Sequence, residues 1–137
     1  MKLHTYLNFG GNCREAFEFY ERHLGGRVTR MATRTELNNP SIPPGWENSI
    51  EYASMDLGET QLMGADVPNY QSMRSAYLSL TVDSAAETER IYALLSDAGQ
   101  IFMKMEETFF AHRFAMLRDK FGTSWMLIHE KPMPGPA

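Results

Sequence analysis

The feature that most constrains the fold of this chain is an internal repeat of about half its length. Residues 4–9 alternate between two kinds of side chain, which predicts a half-buried strand, and residues 13–24 carry an apolar stripe at helical spacing. The same order, an alternating segment followed by a helical stripe, returns at residues 77–82 and 88–98. We therefore expect two copies of one strand-and-helix module in tandem.

Each predicted helix has its own start and stop signals. Asn12 and Ser84 each precede a glutamate by three residues, which is the spacing of a capping box. Gly25-Gly26 and Gly99 are expected to end the two helices. The caps lie 72 residues apart (84 − 12) and the last glycines 73 (99 − 26), so the signals follow the same repeat as the hydrophobic pattern.

Three further strands are predicted after each helix. They cover residues 27–37, 49–57 and 60–65 in the first half, and 100–106, 113–118 and 123–130 in the second. Turn residues at 56–59 and 119–122 join the last two strands of each half. The prediction is an α+β fold made of two βαβββ modules. The expected boundaries are a single domain at 1–131, with module one at 1–65, a linker at 66–75, module two at 76–131 and a flexible tail at 132–137.

Composition argues against several classes of protein. Hydrophobic residues make up 43% of the chain and aromatic residues 12%, enough for a packed core, so the chain is not intrinsically disordered. The net charge is −4, and the charged residues form no run of one sign along the chain. Both facts argue against binding to nucleic acid or to an anionic membrane. Membrane-span and signal-peptide features are missing and Cys13 is the single cysteine, so we expect a cytoplasmic protein.

Two groups of motifs give the chain a resemblance to a known family. They are residues 6–12, 16–20 and 24–26 in module one, and 107–114, 119–122 and 125–126 in module two. With them the chain resembles the glyoxalase/bleomycin-resistance (vicinal oxygen chelate) superfamily and, within it, the PhnB-like branch. The resemblance implies a glyoxalase-like fold in which each module curls a mixed sheet into half of a cup. It also implies a homodimer whose cups are completed by strands of both modules.

The resemblance further implies where a metal ion would bind. Metal-using members hold one divalent ion with four side chains, two from each module. At the matching positions this chain has His4, Met63 (or Leu62, if the register shifts by one), Tyr77 and Met126. A thioether is a poor ligand for Mg²⁺, Mn²⁺, Ni²⁺ or Zn²⁺, and a phenol has an ordinary pKa of about 10. We therefore expect no resident metal ion or other cofactor, with His4 as the best single candidate ligand.

A second candidate for a metal ligand is His112. Glu106 and Glu107 precede it in the same loop, and Glu51 or His129 could approach it through the fold. Solvated carboxylates beside a loop histidine are the interpretation that we favour over a metal site.

Strand alternation also predicts the lining of a ligand pocket. The side chains expected to point into the cup combine phenols, hydroxyls, an amide and thioethers; they are His4, Tyr6, Asn8, Met63, Tyr77, Ser79, Thr81 and Met126. Ten methionines are present, and only Met63 and Met126 are expected at the pocket, the others filling the core. Cys13 lies on the apolar stripe of the first helix and is expected to be an inert core thiol.

Three functions are compatible with these residues. The first is the binding of a small organic molecule in the cup, with no defined reaction. The second is a divalent-metal-dependent lyase, isomerase or dioxygenase, and the third is a resistance protein that sequesters a drug. We favour the first because the inward positions lack the side chains that hold a divalent ion.

Overall fold

A computed structural model of the chain describes residues 1–132. In this part of the chain the elements are β1 (Thr5–Phe9), α1 (Cys13–Leu24), β2 (Arg27–Thr33), β3 (Ile50–Leu57), β4 (Thr60–Asp66), β5 (Leu78–Thr81), α2 (Ala85–Ser96), β6 (Gln100–Glu106), β7 (Ala111–Arg118) and β8 (Ser124–Glu130). The chain divides into two compact units, and the second begins at Ser72. Apart from Pro132, the segment predicted as a flexible tail lies outside the described residues. No helix within residues 1–132 is long and apolar enough to cross a membrane.

The two units have the same sheet topology, which confirms the repeat. The first sheet has the strand order β1-β4-β3-β2 and the second the order β5-β8-β7-β6. In each sheet the first strand runs parallel to the last, and the other neighbouring pairs are antiparallel. The α+β fold of two βαβββ modules with mixed sheets is thereby confirmed.

The first unit folds as its hydrophobic pattern predicts. Leu7 and Phe9 of β1 are buried, whereas Tyr6 and Asn8, which alternate with them, are exposed. The stripe of α1 buries its residues Cys13, Ala16, Phe17 and Tyr20. The Phe17 ring meets the Phe9 ring edge to face at a centroid distance of 6.0 Å, which joins the helix to the sheet. Gly25 ends α1 in the left-handed conformation (φ 77°), as expected.

The predicted cap of α1 is wrong. Asn12 makes no capping hydrogen bond with its side chain, and its Oδ1 atom is buried without a partner among the described residues. Instead, Oδ1 of Asp66 accepts hydrogen bonds from the backbone N–H groups of Gly11 (3.1 Å) and Cys13 (2.9 Å). A carboxylate at the end of β4 therefore satisfies the first turn of the helix and complements its dipole.

The second helix begins as predicted but ends differently. Ser84 accepts a hydrogen bond at its side chain from the Glu87 N–H (3.1 Å), which confirms this cap. The helix ends at Ser96, and Ala98, predicted on the buried stripe, is exposed and left-handed (φ 58°). Gly99 is therefore not the left-handed helix stop. A Cβ atom there would lie 2.3 Å from the carbonyl oxygen of Arg118, so glycine is required by the close approach of β7.

One predicted strand is too long. The segment expected to be extended over residues 27–37 ends as β2 at Thr33. Thr33 and Glu36 exchange hydrogen bonds, since each side chain accepts from the backbone N–H of the other (3.0 and 3.1 Å). This reciprocal pair turns the chain and ends the strand. Arg34 then donates from Nη2 to the carbonyl oxygen of Asp66 (2.8 Å), which fixes the turn to the end of β4.

Candidate functional site

The face of the first sheet opposite α1 carries several of the residues predicted to line a pocket. Tyr6 lies beside Met63 in the parallel pairing of β1 with β4, and Met63 lies beside Ser54 of β3. Tyr6 is 53% exposed. Leu62, the alternative to Met63, is 2% exposed and points to the buried face, so the strand register assigns Met63 to the open face. Asn8 is exposed two residues further along β1.

Polar side chains of β2 and β3 lie further across the first sheet. The hydroxyls of Thr29 and Ser54 share a hydrogen bond of 2.7 Å, and the Arg30 guanidinium lies 5.2 Å from the centroid of the Tyr52 ring. Partial burial raises the pKa of the Tyr6 phenol. The phenol is therefore neutral at physiological pH, where it can donate or accept a hydrogen bond.

The open face of the second sheet carries a row of methionines. Ser79 of β5 lies beside Met126 of β8, Met126 beside Met116 of β7, and Met116 beside Met103 of β6. Met103 is 43% exposed. The expectation that only Met63 and Met126 would occupy such positions was therefore too narrow. We call Ser79, Met126, Met116 and Met103 the methionine row.

The sequence gives only an approximate signal for part of the methionine row. The turn at residues 119–122 joins β7 to β8 as predicted, and a hairpin symmetric about that turn would place Met116 opposite Trp125. The structure instead pairs Arg118 with Ser124, which places Met116 opposite Met126. The contribution of Met103 depends on an irregular pairing of β6 with β7 and carries no such signal.

Tyr77 lies directly before β5 and is half-buried. Its ring meets the Phe102 ring edge to face at 6.2 Å, and its hydroxyl accepts a hydrogen bond from Nη1 of Arg74 (3.0 Å). Thr81, at the other end of β5, is exposed beside Ile128. Arg74 and Phe102 were not predicted from the sequence, because neither belongs to an alternating pattern around the predicted pocket.

His4 is exposed just before β1, next to an open recess of about 550 Å³. The hairpin between β3 and β4 contributes Asp56, Glu59 and Gln61 to the same recess. Among residues 1–132, however, no three His, Cys, Asp or Glu side chains lie close enough together to hold a metal ion. With thioethers at Met63 and Met126 and a phenol at Tyr77, the donor set at the family's ligand positions does not fit a hard divalent cation.

The hairpin of β6 and β7 brings together only part of the second metal candidate, and His112 lies in β7 rather than in the loop expected from the sequence. The exposed His112 ring lies 5.2 Å from the His129 ring, whose Nδ1 donates to the Val82 carbonyl oxygen (2.9 Å). Glu107 forms an ion pair with Lys131 (2.8 Å), and this hydrogen-bonded contact lowers the pKa of the Glu107 carboxyl. The other carboxylates belong to different contacts: Glu51 accepts from Asn39, and Glu106 lies opposite Phe114.

Cys13 is a buried free thiol at the start of α1. Burial, and then the neighbouring Asp66 carboxylate, raises the pKa of this thiol well above its ordinary value. The thiol stays protonated at neutral pH, so Cys13 is not an activated nucleophile.

Comparisons with known proteins agree with this geometry. A family model described as the Glyoxalase/Bleomycin resistance protein/Dioxygenase superfamily matches residues 2–127. Protein YjdN of Escherichia coli (strain K12) is 32% identical to the chain over 98% of this chain and 99% of YjdN. The crystal structure of protein PA1353 from Pseudomonas aeruginosa is 36% identical, with a TM-score of 0.84 over 96% of this chain and 99% of that one. A PhnB protein from Bacillus cereus is 25% identical, with a TM-score of 0.81 over 94% of this chain and 99% of that one.

Proposed function

Because the chain belongs to the PhnB-like branch of the glyoxalase/bleomycin resistance/dioxygenase superfamily, we propose that it binds a small organic molecule on the open faces of its sheets. The observation that carries the proposal is the methionine row. Unbranched thioether side chains adapt to irregular apolar ligands, and the Ser79 hydroxyl adds one polar contact at the end of the row. The proposal concerns binding and assigns no reaction.

The first sheet supports the same proposal. Met63 lies between the Tyr6 phenol and the Ser54 hydroxyl, so this face also combines a thioether with neutral hydrogen-bonding groups. Around Met63 such a surface suits an aromatic or oxygenated molecule better than a bare ion, because the phenol and the hydroxyl are uncharged and the thioether is polarisable.

Methionine-methyl NMR tests the proposal directly. In protein labelled with ¹³C at the methionine methyl groups, a panel of small aromatic and oxygenated compounds is titrated to millimolar concentration. We expect at least one compound to shift the Met126 and Met116 signals in a saturable way, because both side chains lie on the open face. Met55 of β3 is fully buried on the helix-covered face of the first sheet, so its signal serves as the internal control.

Single Met126→Leu and Met116→Leu variants assign the two signals and keep the volume of the side chains nearly unchanged. A panel in which no compound moves either signal would contradict the proposal. Equal shifts at Met55 and Met126 would also contradict it, because they would indicate a general change of the protein rather than a local contact.

Metal analysis separates the proposal from the alternative of a divalent-metal-dependent lyase, isomerase or dioxygenase. We expect protein purified without a chelator to contain substoichiometric Mn, Ni and Zn, because thioethers occupy two of the four positions that the family uses. His4→Ala and His112→Ala should leave this metal content unchanged. One equivalent of metal per chain that disappears in either variant would favour the metal-dependent alternative.

A further inference from the structure

Two arginines of the second unit contact the same aromatic ring. The guanidinium carbon of Arg74 lies 4.3 Å from the centroid of the Phe102 ring, and that of Arg118 lies 5.4 Å from it. Phe102 belongs to β6 and Arg118 to β7, whereas Arg74 lies in the segment before β5. Three separate parts of the unit therefore converge at one point.

Neither Arg74 nor Arg118 takes part in an ion pair within residues 1–132, unlike Arg27, Arg90 and Arg113, which pair with Asp56, Glu87 and Glu89. Arg118 donates from Nε to the Met73 carbonyl oxygen (3.0 Å), and Arg74 donates from Nη1 to the Tyr77 hydroxyl (3.0 Å). Each contact uses one nitrogen of a guanidinium group that has three, so donors remain for a further acceptor.

The two positive charges of this cluster favour the approach of an anion. Two positive charges near one ring repel each other, and a bound anion would offset that repulsion. Contact with the aromatic ring holds each planar guanidinium, so little further side-chain freedom is lost on binding. Guanidinium groups also match the spacing of two oxygens in a carboxylate or a phosphate.

The cluster borders the methionine row. Arg118 lies two residues from Met116 on β7, and Tyr77 lies two residues before Ser79, so both share the open face with the row. A single small molecule could therefore place an oxyanion at the arginines and its apolar part on the methionines.

We infer that Arg74 and Arg118 anchor the anionic group of the bound molecule, which is then a small organic carboxylate or phosphate ester. This inference rests on the proposed function, since it specifies the chemical class of ligand for the same face. The ligand class is defined by an oxyanion with at least two acceptor oxygens joined to an apolar body.

Calorimetric titration with three matched probes tests the inference. Phenyl phosphate and benzoate carry the two kinds of oxyanion, and benzyl alcohol supplies the ring without charge. We expect phenyl phosphate or benzoate to bind roughly tenfold or more tightly than benzyl alcohol, and added salt to weaken only the charged probes. Tighter binding of one charged probe than of the other identifies the preferred oxyanion.

Arg74→Gln is the principal variant, because Arg74 is exposed and its loss should leave the fold intact. We expect this change to weaken binding of the charged probes roughly tenfold or more and to leave benzyl alcohol unaffected. Arg90→Gln removes the same charge from the surface of α2, where Arg90 pairs with Glu87, and should change nothing. Arg118→Gln tests the second anchor, with a thermal melt to verify that the variant is folded.

The outcomes distinguish this inference from the proposed function. Equal affinities for the charged probes in Arg74→Gln and Arg90→Gln would overturn the inference. If benzyl alcohol nevertheless shifted the Met126 signal, the proposed binding on the open face would stand. Binding of inorganic phosphate that depends on Arg74, while no organic compound moves Met126, would support the anion site and contradict the proposed function.

Discussion

Replacing Asp66 with alanine is expected to lower the free energy of unfolding by about 3–5 kcal/mol, one of the two largest effects that we predict. The Asp66 side chain is 1% exposed and accepts hydrogen bonds from three backbone N–H groups, those of Gly11, Cys13 and Ile50. Alanine would leave these donors without an acceptor, and the two that lie in buried contacts, the N–H groups of Cys13 and Ile50, cost about 1–3 kcal/mol each when unsatisfied. Urea denaturation of the two proteins measures the difference.

Two further variants make the Asp66 prediction specific. Asp66→Asn keeps one acceptor oxygen but places an amide group near the Ile50 N–H, so it should be intermediate in stability. Asp56→Ala removes a carboxylate of the same unit that forms an exposed ion pair with Arg27 (3.4 Å), and it should cost less than about 1 kcal/mol. Asp66→Ala would contradict our account of the α1 start if it cost no more than Asp56→Ala.

Gly99→Ala is expected to destabilise the second unit by about 3 kcal/mol or more. The added Cβ atom would lie 2.3 Å from the Arg118 carbonyl oxygen and 3.2 Å from the Cα atom of Asp119. Both atoms belong to the backbone of β7 and the turn after it, so relief requires β6 and β7 to separate. Thermal or urea unfolding measures the loss of stability.

Ala98 provides a matched control, because its replacement with glycine is expected to change stability in the opposite direction. Ala98 has a φ of 58°, a conformation that costs a residue with a Cβ atom about 1–2 kcal/mol. Ala98→Gly removes that cost but increases the entropy of the unfolded chain, so a net stabilisation of about 0.5–1 kcal/mol is expected. If Gly99→Ala were neutral, or if Ala98→Gly were the more damaging change, the assignment of the two roles would be wrong.

The starts and ends of the two helices show where the sequence was informative and where it was not. Ser84 caps α2 through a bond to a residue three positions away, so its pattern was readable from the sequence. The acceptor at the start of α1 is Asp66, which is 53 residues from Cys13, and no local pattern connects them. Gly99 was predicted to end a helix, but glycine is required there because the Arg118 carbonyl oxygen, which is distant in the sequence, leaves no room for a Cβ atom.

The residues of the candidate site also fall into two groups, those that the sequence placed and those that only the structure placed. The alternation of β1 was sufficient to place Tyr6 on the face opposite Leu7, because successive side chains of a strand point to opposite faces. The choice between Leu62 and Met63 required the parallel pairing of β1 with β4. The convergence of Arg74, Phe102 and Arg118 was not predictable, since it joins a segment outside any strand to an irregular edge pairing.

The sequence by itself determined the repeat, the two βαβββ modules and the faces of β1, because these follow from periodicity and from contacts between near neighbours in the chain. Only the tertiary structure decided that Asp66 satisfies α1, that Gly99 must lack a Cβ atom and that two arginines meet at Phe102. Each of these features depends on atoms from distant segments approaching within a few ångströms. Such distances are set by strand register and sheet packing, which local spacing in a sequence does not encode.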